Sequence, residues 1–311
     1  MAGFVDDIKR IYRTGGIGVQ FIFFNVVAFL VFYIINFIVV GATQDDGGIQ
    51  SNLHWFAGTA YFPDLIRKPW AIFTNLVIHD GIFHLAFNMI GLYFFGRLFS
   101  QFSVTKTFIS TYVLSGLAGF FLYVIFMNLL PIPKTSLAGS SIVGASGAVM
   151  GILGAVVAHA PKMKIDLRFA QPTLAIVGLV YAFINVASVL SYGENLGGSV
   201  AHIGGLAFGY FAVVSAKNGR SLTNWFTRLI DRITNLFKGT RNPKSKMKVK
   251  YRKKDFTATK AAKHQNDQEY NESKKDRQAK VDAILDKIKR SGYESLSKTE
   301  KDYLFNEGKR L

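Results

Sequence analysis

The chain has 311 residues, half of them hydrophobic, and a formal charge of +17. Its mean hydropathy is positive, at +0.22. Apolar excess and charge excess in one compact soluble domain conflict, and their positions resolve the conflict. Residues 1–216 hold 11 Lys/Arg against 8 Asp/Glu, whereas residues 217–311 hold 26 against 12. There is no cysteine, which excludes disulfides, thiolate catalysis and cysteine-based metal sites.

Long apolar runs fill residues 19–41, 107–133, 135–161, 169–193 and 195–216, and a shorter one follows Asp80 and ends near Phe99. A helix rising about 1.5 Å per residue needs about 20 apolar residues to cross a bilayer's hydrocarbon core. Six spanning helices are therefore expected, because lipid leaves every backbone polar group to be satisfied within the chain. The first run is longer than the apolar core of a cleaved signal peptide and reads as a retained helix. Lys9, Arg10 and Arg13 precede the first run, Arg97 and Lys106 separate the second and third, and Lys162, Lys164 and Arg168 separate the fourth and fifth. The opposite loops carry Asp45, Asp46, Asp64 and Glu194, so both termini are expected in the cytoplasm.

Four regions follow: a six-span core over 1–218, a juxtamembrane amphipathic helix with a polybasic segment over 219–254, a flexible linker over 255–280, and a small helical hairpin over 281–311. In the second, Leu222, Trp225, Phe226, Leu229, Ile230, Ile233, Leu236 and Phe237 recur at helical steps. Nine cations between Lys238 and Lys254 follow without an acid, a pattern suited to anionic lipid rather than to nucleic acid, since aromatic interleaving for base stacking is sparse. In the hairpin, Val281, Ile284, Leu285 and Ile288 share a face, Gly292 stops the first helix, and Ser297 with Glu300 forms a capping-box pattern. Two short helices bury little on their own, so a partner of unspecified nature is expected.

Polar groups inside spans mark function, because each is costly in lipid unless partnered or wet. The fourth run contains Gly144-Ala145-Ser146-Gly147, then Gly151 and Gly154. The sixth contains Ala201-His202-Ile203-Gly204-Gly205, then Gly209. If these small-residue seams face each other, Ser146 and His202 meet at one depth near the extracytoplasmic ends of their helices. A serine hydroxyl becomes a nucleophile when imidazole takes its proton. The reaction then needs donors for an oxyanion, and His84 and Asn88, four residues apart on one face of the second helix, supply them beside the Ser146 N–H. A metal site built on His79, His84 and His202 is the weaker reading, since no carboxylate or His-Glu-x-x-His pattern accompanies them; neither metal nor cofactor is expected. His54 and His264 fall outside the apolar runs, and His159 lies at the cytoplasmic end of the fourth.

These motifs, in this order, resemble the rhomboid family of intramembrane serine proteases over roughly residues 67–216, including Pro69-Trp70 before the second helix. The resemblance implies an all-α, six-helix bundle that hydrolyses a peptide bond near the extracytoplasmic end of a single-span substrate's transmembrane helix. It implies a Ser146–His202 dyad, an oxyanion hole of His84, Asn88 and the Ser146 N–H, and supporting roles for His79, Gly144, Gly147, Gly205 and Gly209. A bacterial plasma membrane is the expected location. A non-catalytic relative that binds transmembrane segments is the alternative, disfavoured because both serine and histidine are present; a transporter or channel is disfavoured by nearly charge-free spans. Two features depart from the family pattern. The first loop lacks a Trp-Arg pair, and Met150 stands where an aromatic often packs on the histidine.

Overall fold

A computed structural model describes residues 2–43, 48–166, 168–193, 195–237 and 260–308. It divides into two compact units, Met1–Gly239 and Thr240–Leu311. In chain order the first unit contains α1 (Ala2–Thr14), α2 (Gly16–Thr43), α3 (Gly48–Phe56), β1 (Gly58–Thr59), α4 (Phe62–Arg67), α5 (Ala71–Thr74), α6 (Ile82–Phe99), α7 (Thr105–Leu129), α8 (Lys134–Gly139), β2 (Ser141–Ile142), α9 (Ser146–His159), α10 (Leu174–Leu190), α11 (Leu196–Lys217) and α12 (Asn224–Phe237).

Among the described residues four helices, α2, α6, α7 and α11, are long and apolar enough to cross a membrane, while α9 and α10 are apolar but shorter. The apolar run 135–161 is longer than the helix it contains: its first third folds as α8, β2 and a loop, and the positive φ of Gly144 (111°) precedes the start of α9. The remaining 14 residues of α9 extend about 21 Å, less than the hydrocarbon thickness. Ser146, its first residue, thus begins the helix part-way along the apolar run.

The centre of the bundle is α9, packed between α7 and α11. Isoleucine and leucine from α9 (Ile152, Leu153) are fully buried with Leu92, Phe99 and Phe108 from α6 and α7. Glycines set the spacing. A Cβ at Gly205 would collide with the carbonyl oxygen of Gly147, and one at Gly209 with that of Gly151. A Cβ at Gly119 of α7 would likewise collide with the Ala201 carbonyl of α11. The two seams expected from the sequence do face each other at backbone contact, with dispersion and close packing rather than polar bonds joining them.

The connection before α6 is folded rather than loose. Trp70 Nε1 donates to the Trp55 carbonyl at 2.8 Å, Thr74 Oγ1 to the Phe56 carbonyl at 2.8 Å, and Lys68 lies 5.2 Å from the centre of the Trp55 ring. Strand β1 pairs antiparallel with β2, Gly58 opposite Ile142 and Thr59 opposite Ser141, which ties this connection to the segment that leads into Ser146.

Helix α12 belongs to the first unit, which runs to Gly239. Its polar stripe faces α7: Asp231 pairs with Lys106, and the Thr227 and Ser110 hydroxyls are 3.0 Å apart. Its apolar residues Trp225, Leu229, Ile233 and Leu236 are left exposed. The polybasic segment ending at residue 254 lies outside the described residues.

The second unit contains α13 (Lys260–Ser291), a 3-10 turn (Tyr293–Ser295) and α14 (Lys298–Gly308). Residues 260–280, expected as linker, are helical. Their composition of Lys, Ala, Gln and Glu is polar but rich in strong helix formers, which a reading by apolar period does not register. The capping box forms as the spacing implies: Ser297 N–H donates to Glu300 at 2.7 Å, and Glu300 N–H to Ser297 Oγ at 3.3 Å. Lys287 donates to both Glu300 oxygens, at 2.9 and 3.0 Å, and with the capping bonds holds this exposed carboxyl at about 2, below its usual range.

Candidate active site

The segment before α9 is fixed by one backbone carbonyl and one buried side chain of the α5–α6 connection. Gly144 N–H donates to the Asn75 carbonyl at 2.8 Å, and Ala145 N–H donates to His79 Nε2 at 3.3 Å. His79 is fully buried, and its other nitrogen donates to the Val77 carbonyl at 2.9 Å, so Nε2 is left as the acceptor. Burial first, and then the neighbouring His84, push its pKa down to about 4, which keeps the ring neutral. Intrahelical bonding in α9 starts with Val149 donating to Ala145, so the N–H groups of Ser146 and Gly147 sit in the first turn, where helices leave donors for an anion.

Ser146, His202, His84 and Asn88 line one cavity of about 920 Å³. Ser146 opens α9, His202 is on the second turn of α11, and His84 and Asn88 are on the first two turns of α6, all at the same end of their helices. Asp80, Met150 and Asn195 also line it, together with an apolar wall of Phe87, Ile90 and Phe94 from α6 and Val177 and Tyr181 from α10. The cavity thus runs from the polar end down between α6 and α10, where Phe95 and Tyr181 meet edge-on at 6.4 Å. The thioether of Met150 occupies the place one turn after the serine.

His84, Asn88 and His202 each have a defined second contact. His84 Nδ1 bonds Asp80 at 2.5 Å, and Asn88 Nδ2 donates to the His84 carbonyl at 2.9 Å. The Nε2 edge of His84 lies over Gly144, where a Cβ would approach it to 2.5 Å, so this position needs glycine for space as well as for its φ of 111°. His202 Nδ1 bonds Asn185 Oδ1 of α10 at 2.8 Å. Sequence reasoning missed both Asp80 and Asn185. A histidine four residues after an acid was a signal for the first, whereas a lone asparagine in an apolar helix carries none that singles out His202.

Among the described residues no group of three or more His, Cys, Asp or Glu has metal-binding geometry. His79 and His84 are near neighbours, with ring centres 5.2 Å apart, but the free nitrogen of His79 is occupied by Ala145.

Residues 67–217 match the family model described as the Rhomboid domain. The chain belongs to the rhomboid domain family. Ser146, His202, His84, Asn88 and His79 all fall within the matched rhomboid segment. The chain is 31% identical over 147 residues to "Rhomboid protease GluP" of Bacillus subtilis (strain 168), covering 47% of this chain and 26% of that protein. It is 33% identical over 147 residues to "RHOMBOID-like protein 1" of Arabidopsis thaliana, covering 46% and 33%. It is 29% identical over 174 residues to "Rhomboid protease AarA" of Providencia stuartii, covering 51% and 60%. The chain therefore spans less than two thirds of the length of each of these relatives. Outside the rhomboid domain, residues 265–307 match a family of unknown function, DUF6576.

Proposed function

We propose that this multi-pass membrane protein is an intramembrane serine endopeptidase that uses Ser146 as nucleophile and His202 as base. The observation that carries this is the convergence of serine, histidine and two amide or imidazole donors, from three helices, on one cavity. Ser146 Oγ bonds to the scissile carbonyl carbon as its proton passes to His202 Nε2. The proton then moves to the leaving amine as the C–N bond breaks, and water hydrolyses the acyl-enzyme by the same route. His84, Asn88 and the Ser146 N–H stabilise the oxyanion.

In this reading all six apolar helices cross the bilayer, with both termini on the cytoplasmic side of a bacterial plasma membrane. The site then lies toward the extracytoplasmic face, and the apolar slot between α6 and α10 admits a single-span substrate whose helix is weak at its outer end. Supporting the orientation, Arg97, Lys106, Lys162 and Lys164 cluster at the helix ends opposite the site, and Lys217 donates to the Ala158 carbonyl at the end of α9 at 2.7 Å. The exposed apolar stripe of α12 and the basic run behind it suit the surface of an anionic membrane. The names of the two relatives called proteases agree with the reading.

The test is labelling of the full chain, in mild detergent, by a fluorescent phosphonate selective for activated serines. Wild type is expected to label and Ser146→Ala and His202→Ala to lose labelling. A folded wild type that does not label would instead favour a non-catalytic protein that binds transmembrane segments.

A further inference from the structure

Soluble serine hydrolases orient their histidine with a buried carboxylate, and none of the spans carries one near His202. Among the described residues the only protein group bonded to the His202 ring is Asn185, which is buried on α10. Its orientation is fixed by its second bond: Asn185 Nδ2 donates to the Tyr181 carbonyl one turn back at 2.8 Å. The amide oxygen is therefore the atom presented to His202. An amide oxygen accepts and cannot donate, so the imidazole must carry its proton on Nδ1, which leaves the Nε2 lone pair as the acceptor.

We infer that Asn185 is the positioning residue of the dyad: it holds His202 in the Nδ1–H tautomer and makes this competence depend on the position of α10. This rests on the assignment of His202 as the base. The dependence follows from how the helices are held. Helix α11 is locked to α9 and α7 by glycine–backbone contacts, whereas α10 buries only Leu174, Gly178 and Asn185. Helix α10 also forms one wall of the apolar slot. A substrate helix that displaces α10 would stretch the Asn185–His202 bond, and one that seats without displacing it keeps the base oriented. Asn185 therefore links substrate fit to proton acceptance without touching the reacting atoms.

Two measurements on the full chain test this. Imidazole nitrogen-15 spectra of the protein in lipid, with His202 assigned by its absence in His202→Ala, are expected to show a protonated Nδ1 in wild type and a tautomer mixture in Asn185→Leu. Phosphonate labelling of Asn185→Leu is expected to show the inactivation rate lowered about 10- to 100-fold with half-saturation unchanged, and Asn185→Asp, which keeps an acceptor oxygen, is expected to recover most of it. A wild-type His202 protonated on Nε2 would overturn the inference, even if the leucine variant failed to fold. So would a leucine variant labelled at the wild-type rate. A wild type that shows the Nδ1–H tautomer yet never labels would sink the protease reading and leave the tautomer assignment standing.

Discussion

The two sides of the candidate site are built by different means. On one side, α9 and α11 meet through glycines whose missing Cβ atoms leave backbone against backbone. On the other, α6 and α10 leave an apolar slot, crossed by a ring contact between Phe95 and Tyr181. Ser146 and His202 belong to the closed side, and the only described bond that reaches across from α10 to the base is Asn185's. Backbone contact through glycine has one geometry and little give, since any displacement opens a void or a clash. An apolar slot lined by long side chains can repack. Ser146 and His202 therefore share a rigid frame while the neighbouring helix can repack.

The same substitution on each side gives the largest expected contrast. Gly209→Ala places a methyl into the Gly151 carbonyl, with backbone on both sides, and should cost about 3 kcal/mol or more and abolish phosphonate labelling. Gly178→Ala, on α10, meets the side chain of Val157 rather than backbone, at 2.9 Å from Cγ2, so a small shift of α10 or Val157 relieves it. Helix propensity favours alanine there by about 1 kcal/mol, so the two terms should nearly cancel and labelling should persist. Thermal unfolding of both variants decides the matter: equal losses would mean that the α10 side is as tightly fixed as the seam.

A smaller effect is expected at the mouth of the cavity. Asp80 accepts from His84 Nδ1 and is half exposed, so its carboxylate orients a ring that sits over Gly144 and faces the oxyanion position. Asp80→Asn keeps the shape and removes the charge-assisted bond, a difference of about 1.5 kcal/mol if the ring must donate from Nε2 in the transition state. The expected result is a labelling rate about tenfold lower with unchanged half-saturation. An unchanged rate would remove Asp80 from the site's working parts.

That Ser146, His202, His84 and Asn88 share a cavity was legible because the chemistry proposed for them needs particular residue types at particular spacings: Ser146 among glycines, His202 beside a second small-residue seam, and His84 four residues from Asn88. What could not be read depends on backbone conformation or on a partner distant in sequence. Continuous hydropathy over 135–161 does not show that residues 134–142 fold as a short helix and a strand, because a glycine such as Gly144 interrupts a helix without interrupting an apolar run. Asn185 is one asparagine among several in apolar helices; Asn25 and Asn36 of α2 bond the carbonyl one turn back just as Asn185 does, and only the fold reveals that its oxygen meets His202. The helix from Lys260 carries no apolar period to mark it, and its signal is the helix propensity of its polar residues.

The smallest expected effect concerns His79, which holds the start of α9 from the α5–α6 connection. It is buried neutral, with a pKa near 4 against an ordinary 6.5, and its Nε2 accepts from Ala145 N–H just before the nucleophile. Between those two pH values the unfolded chain binds a proton that the folded one refuses. The stability His79 contributes is therefore complete above about pH 6.5 and is lost as pH falls toward 4. A protonated His79 also cannot accept the Ala145 bond, so the loop that sets Ser146 should loosen over the same range. His79→Gln removes the titration and keeps an acceptor, and its unfolding temperature should fall less than that of wild type between pH 7 and pH 4.5. Parallel declines in the two proteins would show that the acid sensitivity arises elsewhere, and that the bond from Ala145 to His79 is not what couples the α5–α6 connection to the start of α9.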